Sequence, residues 1–253
     1  MKLRQTLLVL LIFHILVQFS SALTDEEIKN IQPLLTNKPT GERIAFWAEK
    51  FINTPYDMDP RGEYVSKKTI VADERVDCMY LIFRATELAL SHTAQEAIQI
   101  ALEKRFHSKG IFKDGQVVNY NDRFEYGEDM IDSGKWGNEI TREIGKTLTI
   151  KGSRSKDSVE VLSSDSFLKG GGELKSGDMI FFIKRVEERK IEEIVGHIGI
   201  IKIEKNTEGP NSGEVFLIHA SGTKEKGGTV KKVLLKDYIT KMPFIGVKIT
   251  RFH

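Results

Sequence analysis

A single cysteine, Cys78, occurs in 253 residues. No internal disulfide can form, and neither a CxxC pair nor an HExxH run is present to build a structural zinc site or a metalloprotease. Long hydrophobic runs are also missing. The one apolar stretch, from Leu7 to about Phe19, is too short and too abruptly ended for a stable membrane span. No cysteine follows it closely, which excludes a cysteine-linked lipid anchor. Charge of one sign is absent as well: with Lys2 and Arg4 set aside in the leader, 36 basic residues face 36 acidic ones. That balance gives no electrostatic case for a nucleic-acid partner. There is no internal repeat and no low-complexity tract.

What is present begins with a basic start (Lys2, Arg4), the apolar run, and the small residues Ser20, Ser21 and Ala22. This pattern predicts a secretory signal peptide over residues 1–22, cleaved after Ala22, and hence export to the periplasm or the outside. The alternative is an uncleaved N-terminal anchor. With 40% hydrophobic and 9% aromatic residues, the rest has the composition of an ordinary globular protein, able to bury one good core or two small ones. Residues 23–253 are predicted as one domain, with 23–52 forming helices packed on it. In an exported chain an odd cysteine is an intermolecular link or a reactive thiol.

Thr24 and Glu27 form a capping box, so a helix is predicted from Asp25 to about Leu35. Pro39 and Gly41 break the chain. Ile44, Trp47, Ala48 and Phe51 then fall at helical spacing, predicting a helix over roughly Glu42 to Ile52. Asp57 to Arg75 reads as a long loop leading to Cys78, with a short extended run at Thr69 to Val71. From Cys78 the pattern turns apolar and helical for about three turns. Thr93 and Glu96 open another helix, to about Phe106. Ile111–Phe112 and Val117–Val118 flank a turn and read as a hairpin. Met130 to about Lys146 is mixed helix and turn. The remainder is strand-like: Thr147–Ile150, Ser158–Leu162, Met179–Ile183, Gly196–Ile201, Glu214–His219, Val230–Val233 and Ile245–Ile249, with a glycine turn at 170–172. Helices first and antiparallel strands later predict an α+β fold.

Two of the late strands carry histidines. Centring their hairpin near residue 208, in the loop with Gly209, Pro210 and Asn211, sets His197 opposite His219, Gly199 opposite Leu217 and Ile201 opposite Val215. Directly opposed Cβ atoms are about 4.5–5.5 Å apart, and a one-residue slip would send one imidazole to the other face. Cys78, in the first turn of a helix, sits among unpaired N–H groups and the positive end of the helix dipole, which favour a thiolate. A histidine beside it can take the thiol proton, a further polar group can orient that imidazole, and the N–H of Cys78 can face a developing oxyanion. The plainer readings are a buried small hydrophobe at Cys78, a strand histidine at His197, a strand end at His219, or a Cys–His–His zinc site.

Val76-Asp77-Cys78, then Leu174 to Phe182, then Gly196-His197-Ile198-Gly199-Ile200, then Ile218-His219-Ala220-Ser221 resemble the ordered signature of NlpC-type, papain-like peptidoglycan cysteine hydrolases. The stretch from Tyr56 to Arg75, Cys78-Met79-Tyr80 in place of the usual Cys-Ser-Gly, and Asn121 to Tyr126 resemble its divergent N-acetylmuramoyl-L-alanine amidase-like branch. The resemblance covers roughly Asn53 to His219. It implies a papain-like α+β fold, with a helical half carrying the cysteine and an antiparallel sheet carrying the histidines. It implies Cys78 as nucleophile, His197 as base and acid, and His219 as the orienting residue. Tyr56, in the element Thr54-Pro55-Tyr56, and Asp77 would meet substrate, as would Arg123 and Tyr126. For Tyr56 the alternative is a turn-packing aromatic, and for Asp77 a helix N-cap.

The function implied is a secreted hydrolase cleaving an amide bond in peptidoglycan, either MurNAc–L-Ala or a link within the stem peptide. Peptidoglycan fragments or muropeptides would be its partners. No cofactor and no metal are implied, and no stable membrane insertion after leader cleavage. An acyltransferase or protein-directed peptidase with the same triad, and an inactive wall-binding module, are the competing classes.

Overall fold

Thr24 starts the first helix as its sequence predicts, accepting from the N–H of Glu27 while the Glu27 carboxylate accepts from the N–H of Thr24. The structure is a computed structural model. It describes residues 22–154, 156–170, 173–189, 192–205, 213–223 and 226–253. The predicted leader up to residue 21, the glycine turn at 171–172 and the hairpin loop with Gly209, Pro210 and Asn211 lie outside the described residues.

The helical part contains α1 (Asp25–Leu35), α2 (Thr40–Lys50), α3 (Glu63–Ser66), α4 (Cys78–Leu90) and α5 (Ala94–Lys104). A small hairpin follows, β1 (Phe112–Lys113) with β2 (Gln116–Val117), where Phe112 pairs with Val117 as predicted. Next come α6 (Gly127–Ser133), β3 (Asn138–Glu139), α7 (Thr141–Ile144), β4 (Thr147–Lys151), β5 (Ser158–Ser163) and α8 (Ser164–Gly170). The chain closes with β6 (Met179–Lys184), β7 (Val195–Lys205), β8 (Gly213–Thr223), β9 (Gly227–Leu234), α9 (Leu235–Lys241) and β10 (Phe244–Arg251). The fold is α+β. An eight-stranded antiparallel sheet runs β4-β5-β10-β6-β7-β8-β9, with β3 paired to the far end of β10.

Helix α4 is the hub of the helical part. Every residue from Tyr80 to Ala89 is buried, including Arg84, Thr86 and Glu87. Its polar side chains are met by others. Glu87 receives two 2.6 Å hydrogen bonds from Arg105, and Asp73 receives Arg84 Nε and the Tyr80 hydroxyl. One core cluster joins α2, α4 and α5 to Phe181, Ile198, Ile200 and Ile218 on the sheet. A second, around Ile180, Phe182, Leu217 and Leu235, covers the opposite sheet face with α8 and α9. Strand β6 is buried from Met179 to Ile183, as expected of a central strand. Backbones touch at one further place: a Cβ on Gly177 would lie 2.1 Å from the Gly41 carbonyl oxygen, which requires glycine at the α2–β6 junction.

Asp57 to Arg75 is more ordered than the predicted loop. Its two ends are pinned together: Tyr56 bridges Val76, Val76 N–H donates to the Pro55 carbonyl, and Asp57 N–H donates to the Val76 carbonyl. Asn53 and Tyr56 also bond to Val230 and Gly228 of β9. Inside the loop α3 replaces part of the predicted coil, its start held by the Asp57 carboxylate, which accepts from the N–H groups of Asp59 and Glu63. The expected extended run at Thr69 to Val71 is not a strand. Two short helices, α8 and α9, stand where only strands and turns were expected.

Candidate active site

Asp77 is the N-cap of α4, and its carboxylate accepts from the N–H of Tyr80 at 2.6 Å. Cys78 is therefore the first helical residue. Its N–H is one of the first-turn donors that have no carbonyl within the helix. The Pro55–Tyr56 and Val76 bridge sets this helix start beside β9, so Tyr56 and Cys78 come to one place from opposite ends of a closed loop.

The histidines arrive from the sheet. The register differs from the one expected: Ile200 pairs with Ile218 and Ile201 with Leu217. The hairpin is thus centred one residue later, and His219 stands two positions from the point opposite His197. A shift of two residues keeps both side chains on the same face, because strand faces alternate with period two. The imidazoles meet diagonally, His197 Nε2 lying 2.9 Å from His219 Nδ1 with the rings perpendicular. One of these nitrogens must carry the proton. If Nε2 of His197 donates, its Nδ1 is left as the acceptor for another partner.

Cys78 and His197 line one cleft of about 490 Å³, together with Tyr56, Asp57, Asp59, Asp77, Glu125, Tyr126, Glu193 and neighbouring backbone. The N–H groups of Ile198, Cys78 and Met79 lie around the sulfur and favour its charged form. Burial and the nearby Asp77 carboxylate act more strongly the other way and push the thiol up to about 12. Burial lowers His197 to about 3, with His219 adding to it, and lowers His219 to about 4. Each group alone is therefore held neutral, a thiol beside an imidazole. Moving the proton from sulfur to ring creates both charges in contact, so each screens the other where burial penalises either one alone. Asp77 is raised to about 6, chiefly by burial.

The other sequence-selected residues divide. Tyr56 and Tyr126 are on the cleft wall. The Tyr126 ring also carries the Arg154 guanidinium 3.8 Å from its centroid. Asp77 both caps the helix and lines the cleft. Arg123 is held back by Glu125 at 2.5 Å and by the Tyr120 carbonyl, and the wall there is Glu125.

Two neighbours escaped the sequence reading. Glu128, at the start of α6, accepts from the N–H groups of Ile194 and Val195 at 3.0 and 3.1 Å, clamping the strand that leads into His197. Close packing there needs Gly127, since a Cβ would fall 2.6 Å from Val195 Cγ1. Tyr238 on α9 packs against both imidazoles. No local pattern marks either residue; both matter through contacts across long chain separations.

A larger groove of about 750 Å³ lies elsewhere, between the start of α2, the turn before β6 and the end of β10, and holds neither Cys78 nor the imidazole pair. Among the described residues, no group of three or more His, Cys, Asp or Glu side chains is placed to hold a metal ion. No described helix is long and apolar enough to cross a membrane.

No family model matches the chain, and no curated protein matches it. Solved structures do. An N-acetylmuramoyl-L-alanine amidase from Bacteroides uniformis is similar with a TM-score of 0.62 at 17% identity, over 84% of this chain and 98% of that one. A second structure of that name and organism gives 0.61 at 18% identity, over 85% and 99%. A Legionella pneumophila protein described by the family name DUF1460 gives 0.65 at 15% identity, over 89% and 93%. The likeness runs through nearly the whole of each neighbour, and what it establishes is a shared α+β architecture.

Proposed function

We propose that this protein is an exported cysteine hydrolase of papain-like, NlpC-type design that cleaves an amide bond in peptidoglycan. The observation that carries the reading is the meeting of Cys78 and His197 on one cleft, with His197 hydrogen-bonded to His219 behind it. The fold likeness to structures named N-acetylmuramoyl-L-alanine amidase supports the substrate class and the lactyl–alanyl amide as the bond. The basic and apolar leader sequence supports export.

In this mechanism the Cys78 sulfur attacks the amide carbonyl carbon while its proton passes to Nδ1 of His197. His219 accepts from Nε2 of His197, which fixes the tautomer and shares the new positive charge. The Cys78 N–H donates to the oxyanion. Collapse breaks the C–N bond, and the imidazolium returns its proton to the leaving peptide amine. A thioester remains on Cys78. Water, deprotonated by His197, then attacks that thioester and releases the carboxylic acid and the thiol. Tyr56, Asp77 and Tyr126 contact substrate along the wall, with Arg123 acting through Glu125.

Mass spectrometry of purified muropeptides treated with wild type and with Cys78→Ala tests this. Release of the intact peptide from the sugar by wild type alone is the expected result. Cleavage within the stem by wild type alone would keep the mechanism and move the bond. Identical spectra from both proteins would overturn the peptidoglycan reading.

A further inference from the structure

Tyr238 sits on α9, a seven-residue helix laid between β9 and β10. Its ring centroid is 4.7 Å from that of His219, at 63°, and 5.9 Å from that of His197, at 33°. Phe182, directly opposite His197 on β6, closes the group at 6.0 Å from His197 and 5.0 Å from Tyr238. Of these rings only His197 lines the cleft. Tyr238 therefore meets the imidazole pair from behind, away from the space open to substrate.

The packing answers a mechanical problem. The 2.9 Å bond between the two imidazoles is a single contact between perpendicular rings. Imidazole χ2 torsions are broad and roughly two-fold, so one hydrogen bond leaves both rings free to swing. An aromatic ring against both removes that freedom and keeps water from the bond, which strengthens it. Aromatic rings also attract cations. The phenol itself stays protonated, because burial and the nearby Cys78 both raise it.

We propose that Tyr238 is a positioning residue whose ring holds the His197–His219 pair toward Cys78 and stabilises the imidazolium formed when His197 takes the thiol proton. This rests on Cys78 acting as nucleophile with His197 as its base. It assigns the work to the ring and none to the hydroxyl.

The test compares wild type, Tyr238→Phe and Tyr238→Leu, each with and without His197→Ala. The first readout is iodoacetamide labelling at neutral pH, which reports Cys78 alone because the chain has one cysteine. The second is kcat and KM on purified muropeptides. Tyr238→Phe should stay within about twofold of wild type in both. Tyr238→Leu should lower labelling and kcat about tenfold, with KM changed less than about twofold, as loss of orientation without loss of binding requires. In the His197→Ala background, Tyr238→Leu should change labelling no further. The proposal is overturned if Tyr238→Leu behaves as wild type, if Tyr238→Phe is as impaired as Tyr238→Leu, or if the leucine effect persists without His197. Should no muropeptide be cleaved by wild type while labelling follows the expected pattern, the substrate reading fails and the role of Tyr238 stands.

Discussion

Polar groups are buried on both sides of the cleft, in opposite ways. Behind Cys78, charges meet charges: Arg105 with Glu87, and Arg84 with Asp73, all almost fully buried. Arg105 also lies 4.9 Å and 5.4 Å from the Tyr80 and Phe83 ring centroids. Behind His197, two imidazoles held neutral meet each other and a wall of rings. The first arrangement keeps permanent charges and acts as a brace for α4. The second can accept a proton and return it. A site that moves protons needs the second kind beside its nucleophile and the first kind out of reach, fixing the helix on which that nucleophile stands.

Removing the sulfur is the sharpest test of that division. Cys78→Ala is expected to lower muropeptide hydrolysis by about 10³-fold or more, to background, with the thermal midpoint little changed. A large loss of stability would show that Cys78 belongs to the brace.

The brace should fail differently. Glu87→Gln leaves Arg105 buried without its counter-charge and is expected to cost about 3–5 kcal/mol in urea denaturation. Replacing both partners with apolar residues of similar volume should recover most of that loss. If the single and double replacements are equally damaging, the pair is not an independent unit.

The imidazole side should show itself in acid. His197 and His219 are lowered to about 3 and about 4. The unfolded chain therefore binds their protons first, so their contribution is complete above the ordinary histidine pKa of about 6.5 and is lost as pH falls toward 4. Asp77, raised to about 6, has the opposite sign: its contribution is present below about 4 and lost as pH rises through 6. Two groups oppose one, so net stability should fall as pH drops from about 6.5 to about 4. Urea midpoints measured across that window should show it. His219→Gln should flatten the slope by about 1.4 kcal/mol per pH unit, one proton's worth. An unchanged slope would mean that His219 is not held neutral.

Glu128 should give the smallest effect. Glu128→Gln keeps one acceptor but turns an amide toward the N–H groups of Ile194 and Val195, at an expected cost of about 1–3 kcal/mol in the same urea assay. Its effect on kcat should exceed its effect on KM, because the strand it clamps leads into His197. A rise in KM alone would place Glu128 in substrate binding.

Much of this was legible locally. The Thr24 capping box, the apolar run after Cys78, the Phe112 to Val117 hairpin and the uninterrupted β6 core each follow from neighbours a few residues apart. The short helices α8 and α9 were not legible, because seven residues between strands carry too little periodicity. The loop from Asp57 to Arg75 read as coil because its closure depends on β9, more than 150 residues away in sequence. The histidine register was missed by two positions because the strand pattern specifies face and leaves the pairing partner open.

By itself the sequence determined that one sulfur stands at a helix start and that two histidines lie on late strands of a sheet. It also determined that those imidazoles share a face, since side-chain alternation along a strand is a local property. Only the tertiary structure decided that they bond diagonally, that Tyr56 and Cys78 meet through a closed loop, that Glu128 clamps β7 and that Tyr238 backs the pair. Those contacts join segments far apart in the chain, and their geometry follows from how the helical and sheet parts pack, which no local pattern encodes.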